Sequence, residues 1–243
     1  MALDKAKIIT VTSVKGGTGK TTVALSLAGL LSKKKLKVAL LDLDLSGGAI
    51  ATSLNTVTNQ SIHSLVNDMM NNRFDQIEKY LVKYDDYIDV LAAPNDPRDA
   101  LKVHPKLLET ILRHLEYQYD IILIDTNNAT SEINLVTFDS SDEIIYVITD
   151  DIIDLKNMKS MIAIYDDMNL DKYKIILNET FERKYNNLEI KNALGRNIDY
   201  ILPKSFYDKD YQRYIMDGKI LSIERPDNKG IMVLEDMLNK ILK

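Results

Sequence analysis

The sequence predicts an α/β fold built on a doubly wound, mostly parallel sheet with helices on both faces. Two observations predict it. Several short runs are apolar at nearly every position, as in strands buried on both faces of a parallel sheet. These runs alternate with longer helical patterns, which is typical of repeated βαβ units. Because the sequence contains no Pro/Gly-rich linker, we expect residues 1–243 to form a single domain.

The predicted strands, in chain order, are Lys7–Ser13, Lys37–Asp44, Tyr87–Ala93, Tyr119–Asp125, Glu143–Thr149, Tyr173–Asn178 and Ile198–Leu202. Helices are predicted at Thr21–Ser32, Pro105–Tyr117, Asp154–Asp166 and Asp208–Asp217. The polar segment 59–84 is predicted to hold two short helices inserted between strands. Near the carboxyl end, helical spacing of apolar residues predicts a helix packed on the sheet by Ile231, Leu234, Leu238 and Ile241.

Composition excludes several classes of function. The sequence has no cysteine, so disulfides, thiolate zinc sites, iron–sulfur clusters and cysteine nucleophiles are excluded. The net charge of -5 argues against a strongly basic nucleic-acid binder. No apolar run approaches the ~18–20 residues that a membrane span requires. We therefore expect a cytoplasmic protein.

A glycine-rich turn lies between the first predicted strand and the first predicted helix, and it reads KGGTGKTT over residues 15–22. Its glycines let backbone N–H groups converge at the positively polarised start of a helix. Lys20 can reach the β- and γ-phosphates, Thr21 offers a hydroxyl to Mg²⁺, and Thr22 lies near the α-phosphate. The turn predicts a site for a nucleoside triphosphate with Mg²⁺, formed by Gly16, Gly17, Thr18, Gly19, Lys20, Thr21 and Thr22.

Lys15 stands early in this turn, where its side chain does not easily join Lys20 on the same phosphates. The sequence leaves two interpretations open. Lys15 is either a solvated surface lysine or a cation delivered to the γ-phosphate of a nucleotide that a second copy of the protein holds. In the second case, it would neutralise charge that develops during phosphoryl transfer.

Acidic residues end two of the predicted strands. Asp42 and Asp44 lie at the end of the second strand, and Asp125 ends the apolar run YDIILID. The carboxyl ends of parallel strands border the ligand crevice of a doubly wound sheet. Asp42 or Asp44 could therefore hold Mg²⁺ through water or orient an attacking water. The alternative is that these carboxylates are simply solvated.

The motif KGGTGKTT resembles the deviant Walker A motif, K-G-G-x-G-K-[ST], of the MinD/ParA superfamily of dimerising P-loop ATPases, and the likeness extends over nearly the whole chain. The resemblance implies an ATP-dependent homodimer in which Lys15 crosses the interface. It implies slow hydrolysis of ATP to ADP and phosphate. Asp44 would position the water with Asp42 in support beside the metal, and Asp125 would be the Walker B acid at Mg²⁺.

The same resemblance assigns the base-binding side of the site. Asn178, which ends YKIILN, matches the asparagine that contacts the base, and an amide offers that base a donor and an acceptor. Pro203, in ILPKS, would pack on the base. The superfamily often has proline two residues after the Walker B acid, where this sequence has Asn127. That difference concerns hydrolysis more than nucleotide binding.

Three longer segments, residues 90–103, 142–162 and 194–226, resemble the CpaE/TadZ pilus-assembly branch of the superfamily. The resemblance implies an ATPase that helps to position or assemble a pilus or secretion machine through protein partners, with recruitment to the pole or the inner face of the membrane. Members commonly carry an N-terminal receiver-like domain, whereas this sequence begins almost at the first strand.

Other functions remain as alternatives. A nucleotide-clamped scaffold with hardly any hydrolysis is one, and Asn127 favours it. Partitioning of the ParA type would need clustered basic residues for DNA, whereas the lysines here are scattered among acids. MinD-like membrane recruitment would use the C-terminal helix, but its polar face mixes Glu235 and Asp236 with Lys240 and Lys243. We therefore expect no DNA partner and at most peripheral membrane contact.

Overall fold

The computed structural model describes residues 5–56, 58–128, 131–179, 183–207 and 209–243. In this part of the chain the strands are β1 (Lys7–Thr12), β2 (Val38–Leu43), β3 (Val82–Lys83), β4 (Ile88–Leu91), β5 (Ile121–Thr126), β6 (Glu143–Ile148), β7 (Tyr173–Asn178) and β8 (Tyr200–Leu202). The helices are α1 (Lys20–Lys33), α2 (Ile50–Ser53), α3 (Ile62–Met70), α4 (Pro105–Leu115), α5 (Glu132–Ser140), α6 (Ile152–Asp167), α7 (Asn187–Leu194), α8 (Tyr211–Met216), α9 (Leu221–Glu224) and α10 (Lys229–Ile241).

The strands form one sheet in the order β3-β4-β2-β5-β1-β6-β7-β8. Every neighbouring pair is parallel except the edge pair β3–β4, which is antiparallel. The order changes direction around β1, so the strand that leads into the glycine-rich turn lies in the middle of the sheet. Such a switch point is where doubly wound sheets bind ligands.

Helices cover both faces of the sheet. On one face α1, α9 and α10 bury a core that includes Leu27, Leu40 and Leu234. On the other face, α3 and α4 pack over the β2 and β5 side, and α6 and α7 pack over β6 and β7. Each fully buried Leu or Ile contributes about 1.5–3 kcal/mol to folding. The predicted fold class, an α/β sheet of mostly parallel strands with helices on both faces, is confirmed.

Local sequence explains where α7 begins and ends. Asn186 caps α7 by accepting from the backbone N–H of Glu189, whose carboxylate accepts from the N–H of Asn186. Gly195 ends that helix in the left-handed conformation, where a residue without Cβ is favoured. The predicted C-terminal helix is confirmed as α10, and the four apolar residues predicted to face the sheet are buried.

The structure also differs from the sequence-based prediction. Segment 59–84 holds one α-helix, α3, followed by a short 3₁₀ turn and the antiparallel strand β3, which was not predicted. Helices α2, α5, α7 and α9 were not predicted either. The helix predicted at Asp208–Asp217 is observed only as α8, which begins at Tyr211. Its predicted end is nearly right, because Gly218 adopts a left-handed backbone and terminates the helix. In the described segments, no helix is both long and apolar enough to span a bilayer.

Candidate nucleotide-binding site

The phosphate loop, residues 15–22, follows β1 and leads into α1. Gly17 and Gly19 have φ angles of 76° and 96°, in the left-handed region that favours glycine. A Cβ at Gly19 would collide with the Tyr207 hydroxyl and the Asn178 amide nitrogen. Lys20 is the first residue of α1 and is buried, with 8% of its surface exposed. An anion at this edge of the sheet could therefore approach the backbone N–H groups at the start of α1 closely.

Thr21 links the phosphate loop to the acid at the end of β5. Its Oγ1 donates a 2.6 Å hydrogen bond to Oδ2 of Asp125. Asp125 is almost completely buried, and burial together with the neighbouring Asp42 raises its pKa to about 8, against the opposing effects of Thr21 and Lys20. Its Oδ1 is buried with no hydrogen-bond partner in the described segments. The acid therefore retains an unsatisfied oxygen beside the loop.

Asp42 ends β2 next to Asp125 but is held by its own loop. Its Oδ1 accepts from the N–H of Asp44 at 3.2 Å, and its Oδ2 accepts from the N–H of Ile50 at 3.0 Å. Burial is the largest cause that raises the Asp42 pKa, to about 7. Asp44 is half-buried, and its Oδ1 accepts from the N–H of Gly47 at 3.2 Å. Thus Asp42 is buried and holds the loop that follows β2, whereas Asp44 is more accessible to solvent.

Lys15 has a different environment from Lys20. Its Nζ lies 3.2 Å from Oδ1 of Asp151, the N-cap residue of α6. The two side chains are 39% and 28% exposed. The N–H of Ile153 is the first cause that lowers the Asp151 pKa, and Lys15 is the next. The first lysine of the loop is therefore held at the start of α6, close to the surface.

The base-binding residues expected from the sequence lie on the other side of the loop. Asn178 ends β7 and donates from Nδ2 to the Thr18 carbonyl at 2.8 Å and to the Tyr207 hydroxyl at 2.9 Å. Pro203 follows Leu202, which is the register partner of Asn178 in the sheet. The structure thus brings Asn178 to the phosphate loop and places Pro203 directly after its neighbour on the adjacent strand.

Family comparison agrees with this geometry. Residues 4–192 match the family described as ParA: NUBPL iron-transfer P-loop NTPase. The chain belongs to the ParA family of P-loop NTPases. Proteins of the ParA/MinD family are ATPases that share this fold. The iron-transfer part of that description would require thiolate ligands for an iron–sulfur cluster, and this sequence has no cysteine.

Several relatives extend over nearly the whole ParA-family chain. An ATP-binding protein of Methanocaldococcus jannaschii is 26% identical over 235 residues, which are 94% of this chain and 84% of the relative. A ParA family ATPase from Chlorobium tepidum superposes with a TM-score of 0.82 at 19% identity, covering 95% of this chain and 98% of the other. The septum site-determining protein MinD from Pyrococcus horikoshii, complexed with Mg-ADP, gives 0.80 at 22% identity, with coverages of 97% and 96%. The two structures share the fold of this chain.

The donor set of this ParA-family site suits Mg²⁺. The unpartnered Oδ1 of Asp125, the Thr21 hydroxyl and the adjacent Asp42 supply oxygen ligands, which Mg²⁺ prefers. Two buried neighbouring carboxylates with raised pKa values also favour a cation between them. A magnesium ion there would stabilise negative charge on phosphate oxygens.

Two aromatic residues that the sequence does not indicate lie next to this site. The Tyr207 hydroxyl contacts Asn178, and the Tyr211 hydroxyl lies 2.5 Å from Oγ1 of Thr22. Asn178 could be found from the sequence because it ends a predicted strand. No motif marks Tyr211, which lies 189 positions after Thr22 in the sequence. Only the proximity of the segment after β8 to the start of α1 identifies the pair.

Proposed function

We propose that this ParA-family chain is an ATP-switched dimer: ATP joins two copies through their phosphate loops and slow hydrolysis to ADP separates them. Residues 1–243 would act as a single ATPase domain. The observation that carries the proposal is the separation of the two loop lysines. Lys20 is buried at the start of α1, and Lys15 is held by Asp151 at the surface. Of these two lysines, Lys15 is the one placed near the surface, where it could serve a nucleotide outside its own loop.

Within one copy, the chain's own residues would each take one part of the task. Loop N–H groups from Gly16 to Thr22 and the Lys20 amine would bind the phosphates. Thr21, Asp42 and Asp125 would hold Mg²⁺, and the half-buried Asp44 would orient the attacking water. Asn178 and Pro203 would border the base.

Across the dimer, Lys15 would leave Asp151 and place its amine at the γ-phosphate of the partner copy. An exposed ion pair costs little to break, about 0–1 kcal/mol, because water and salt solvate both charges. A fully charged triphosphate offers Lys15 more negative charge than one carboxylate does. The exchange is therefore favoured when ATP is present and is not favoured with ADP, which lacks the γ-phosphate.

The machine that this switch would serve is also part of the proposal. Resemblance of residues 90–103, 142–162 and 194–226 to the CpaE/TadZ branch supports positioning or assembly of a pilus or secretion machine in the cytoplasm, with protein partners at the pole or inner membrane face. The similarity to MinD, a septum site-determining protein, supports a positioning ATPase of the ParA/MinD type as the alternative.

A second candidate is a nucleotide-clamped scaffold with little turnover. One observation favours it. The buried Asn134 of α5 donates from Nδ2 to the backbone oxygen of Asn127 at 3.3 Å and to its side-chain oxygen at 2.9 Å. These bonds hold Asn127, two residues after Asp125, and a fixed Asn127 would hinder rearrangement around an attacking water.

Sedimentation of the wild type and K15A with Mg-ADP, Mg-ATP and a nonhydrolysable ATP analogue tests the dimer switch. We expect only the triphosphates to dimerise the wild type, and K15A to bind nucleotide while dimerising poorly. K159A is the matched control, because Lys159 is an exposed lysine on α6. Dimerisation of K15A as strong as that of K159A would refute the switch. Phosphate release from the wild-type dimer then separates an ATPase from the scaffold.

A further inference from the structure

Two tyrosine hydroxyls face the start of α1 from the segment that follows β8. The Tyr207 hydroxyl accepts from Nδ2 of Asn178 at 2.9 Å, and it would collide with any Cβ at Gly19. The Tyr211 hydroxyl lies 2.5 Å from Oγ1 of Thr22. Thr22 and Asn178 are two of the residues that the proposed nucleotide would contact. The tyrosines therefore lie beside the phosphate loop, against side chains that the proposed nucleotide would contact.

Both tyrosines are neutral around physiological pH. Burial raises the pKa of Tyr211 to about 12 and also raises that of Tyr207. A neutral phenol makes an ordinary hydrogen bond to the Thr22 hydroxyl and brings no charge to the site. Phosphate oxygens are charged acceptors, and hydrogen bonds to charged groups are about twice as strong as neutral ones. A nucleotide can therefore replace Tyr211 at Thr22.

The arrangement under the tyrosines leaves polar atoms unsatisfied. Oγ1 of Thr18 and Oδ1 of Asn178 are buried and have no hydrogen-bond partner in the described segments. Both residues are only 1% exposed. A buried polar atom without a partner costs about 1–3 kcal/mol. A ligand that donates hydrogen bonds to these two oxygens would therefore gain binding free energy.

The two tyrosines are not equally anchored. Tyr207 follows Phe206, which is fully buried against Gly230 and whose carbonyl accepts from Nδ2 of Asn228 at 3.2 Å. Tyr211 begins α8, in which no residue is fully buried, and Met216 at its end is 79% exposed. Tyr211 itself is half-buried, with its ring edge-on to that of Tyr207 at a centroid distance of 5.1 Å. Tyr211 can therefore move with α8 while Tyr207 stays on Asn178.

We propose that Tyr211 is a gate on the nucleotide site: it competes with nucleotide for the Thr22 hydroxyl, and binding of nucleotide moves α8 outward. The proposal rests on the proposed function, because it requires that nucleotide binds at the phosphate loop. It adds a residue that sets nucleotide affinity from outside the loop. It also makes the outer surface of α8, with Arg213 and Met216 exposed, depend on nucleotide occupancy.

Calorimetric titration of Mg-ADP into Y211F and the wild type tests the gate. Removing the phenol hydroxyl frees Thr22, so we expect Y211F to bind ADP about two- to tenfold more tightly, the value of one hydrogen bond. Y214F is the matched control: Tyr214 lies one turn further on α8 and packs partly buried against the core. The gain should disappear in a T22A background, where there is no hydroxyl to compete for.

Hydrogen exchange of wild-type α8 gives a second, independent measurement. We expect the amides of Tyr211–Met216 to exchange faster when Mg-ADP is added, because the helix leaves the site. Slower exchange, or weaker ADP binding by Y211F, would show that Tyr211 holds the nucleotide and would refute the gate. Equal affinities of wild type, Y211F and Y214F would refute the gate alone. Failure of the wild type to bind any nucleotide would refute both proposals.

Discussion

Asp42 and Asp125 are register partners on the adjacent parallel strands β2 and β5, and each is only 1% exposed. Two carboxyl groups placed side by side in the interior resist ionisation, both by desolvation and by mutual repulsion. Their pKa values of about 7 and about 8 express this. A cation beside this pair would stabilise its charged form. The hydrogen bond from Thr21 and the charge of Lys20 lower the pKa of Asp125 only in part, and it stays raised.

This pair should make the free protein less stable as pH rises. In the unfolded chain both carboxyls ionise near pH 4, so between pH 4 and 8 the folded protein binds more protons than the unfolded one. The free energy of unfolding therefore falls through this window. D42N removes one carboxylate and its repulsion of Asp125. Between pH 5.5 and 8.5 we therefore expect the free energy of unfolding of D42N to fall by about 1–3 kcal/mol less than that of the wild type.

Urea unfolding at the two pH values measures the effect of D42N. In the wild type the two carboxylate oxygens of Asp42 accept separately from the N–H groups of Asp44 and Ile50, and the amide keeps an oxygen for only one of them. D42N should therefore lose some stability at both pH values, and the prediction concerns the change in stability between them. D86N is the control, because Asp86 lies exposed before β4. If the D42N and wild-type stabilities changed in parallel with pH, the repulsion between Asp42 and Asp125 would be negligible.

The Thr21 hydroxyl should matter through Asp125 and through the Mg²⁺ that it would itself help to hold, rather than through size. Its hydrogen bond to Oδ2 lowers the pKa of Asp125 against the effect of burial. In T21A the acid would hold its proton more strongly and bind Mg²⁺ less well. We expect T21A to need roughly tenfold more Mg²⁺ for half-maximal ADP binding, and T21S to need the wild-type amount. A T21S protein as impaired as T21A would assign the effect to the lost methyl group instead.

Gly19 and Gly17 form a matched pair for testing the close packing of the loop. Both have left-handed backbones, so alanine at either position costs about 1–2 kcal/mol in strain. A Cβ at Gly17 meets nothing within 4 Å, whereas one at Gly19 collides with Tyr207 and Asn178. We expect G19A to be less stable than G17A by at least about 1 kcal/mol in urea unfolding, because overpacking adds to the strain. Equal losses would mean that Tyr207 moves aside at no cost.

The sequence predicted the sheet and the loop because both depend on local patterns. Apolar runs mark buried strands, and the motif at residues 15–22 fixes a strand–turn–helix site. It could not predict the partner of Lys15 or the position of Tyr211, since these depend on how distant segments meet. Nor could it predict β3, a two-residue edge strand whose pairing with β4 comes from a tight turn rather than from hydrophobic pattern.

The Lys15–Asp151 pair gives the last prediction, on how easily the proposed dimer forms. D151N removes the charge that holds Lys15 but keeps an N-cap for α6, because Asn caps helices as well as Asp. With Lys15 released, we expect ATP-driven dimerisation to strengthen by about two- to fivefold at low salt, the range of an exposed ion pair. The gain should shrink as salt is added, because salt already screens the pair in the wild type.

D166N, at the far end of α6, removes the same charge without touching Lys15 and should leave dimerisation unchanged. Sedimentation with the nonhydrolysable analogue at low and high salt measures all three proteins. Weaker dimerisation of D151N would show that Asp151 itself contacts the partner, so that its role is to form the interface rather than to restrain Lys15.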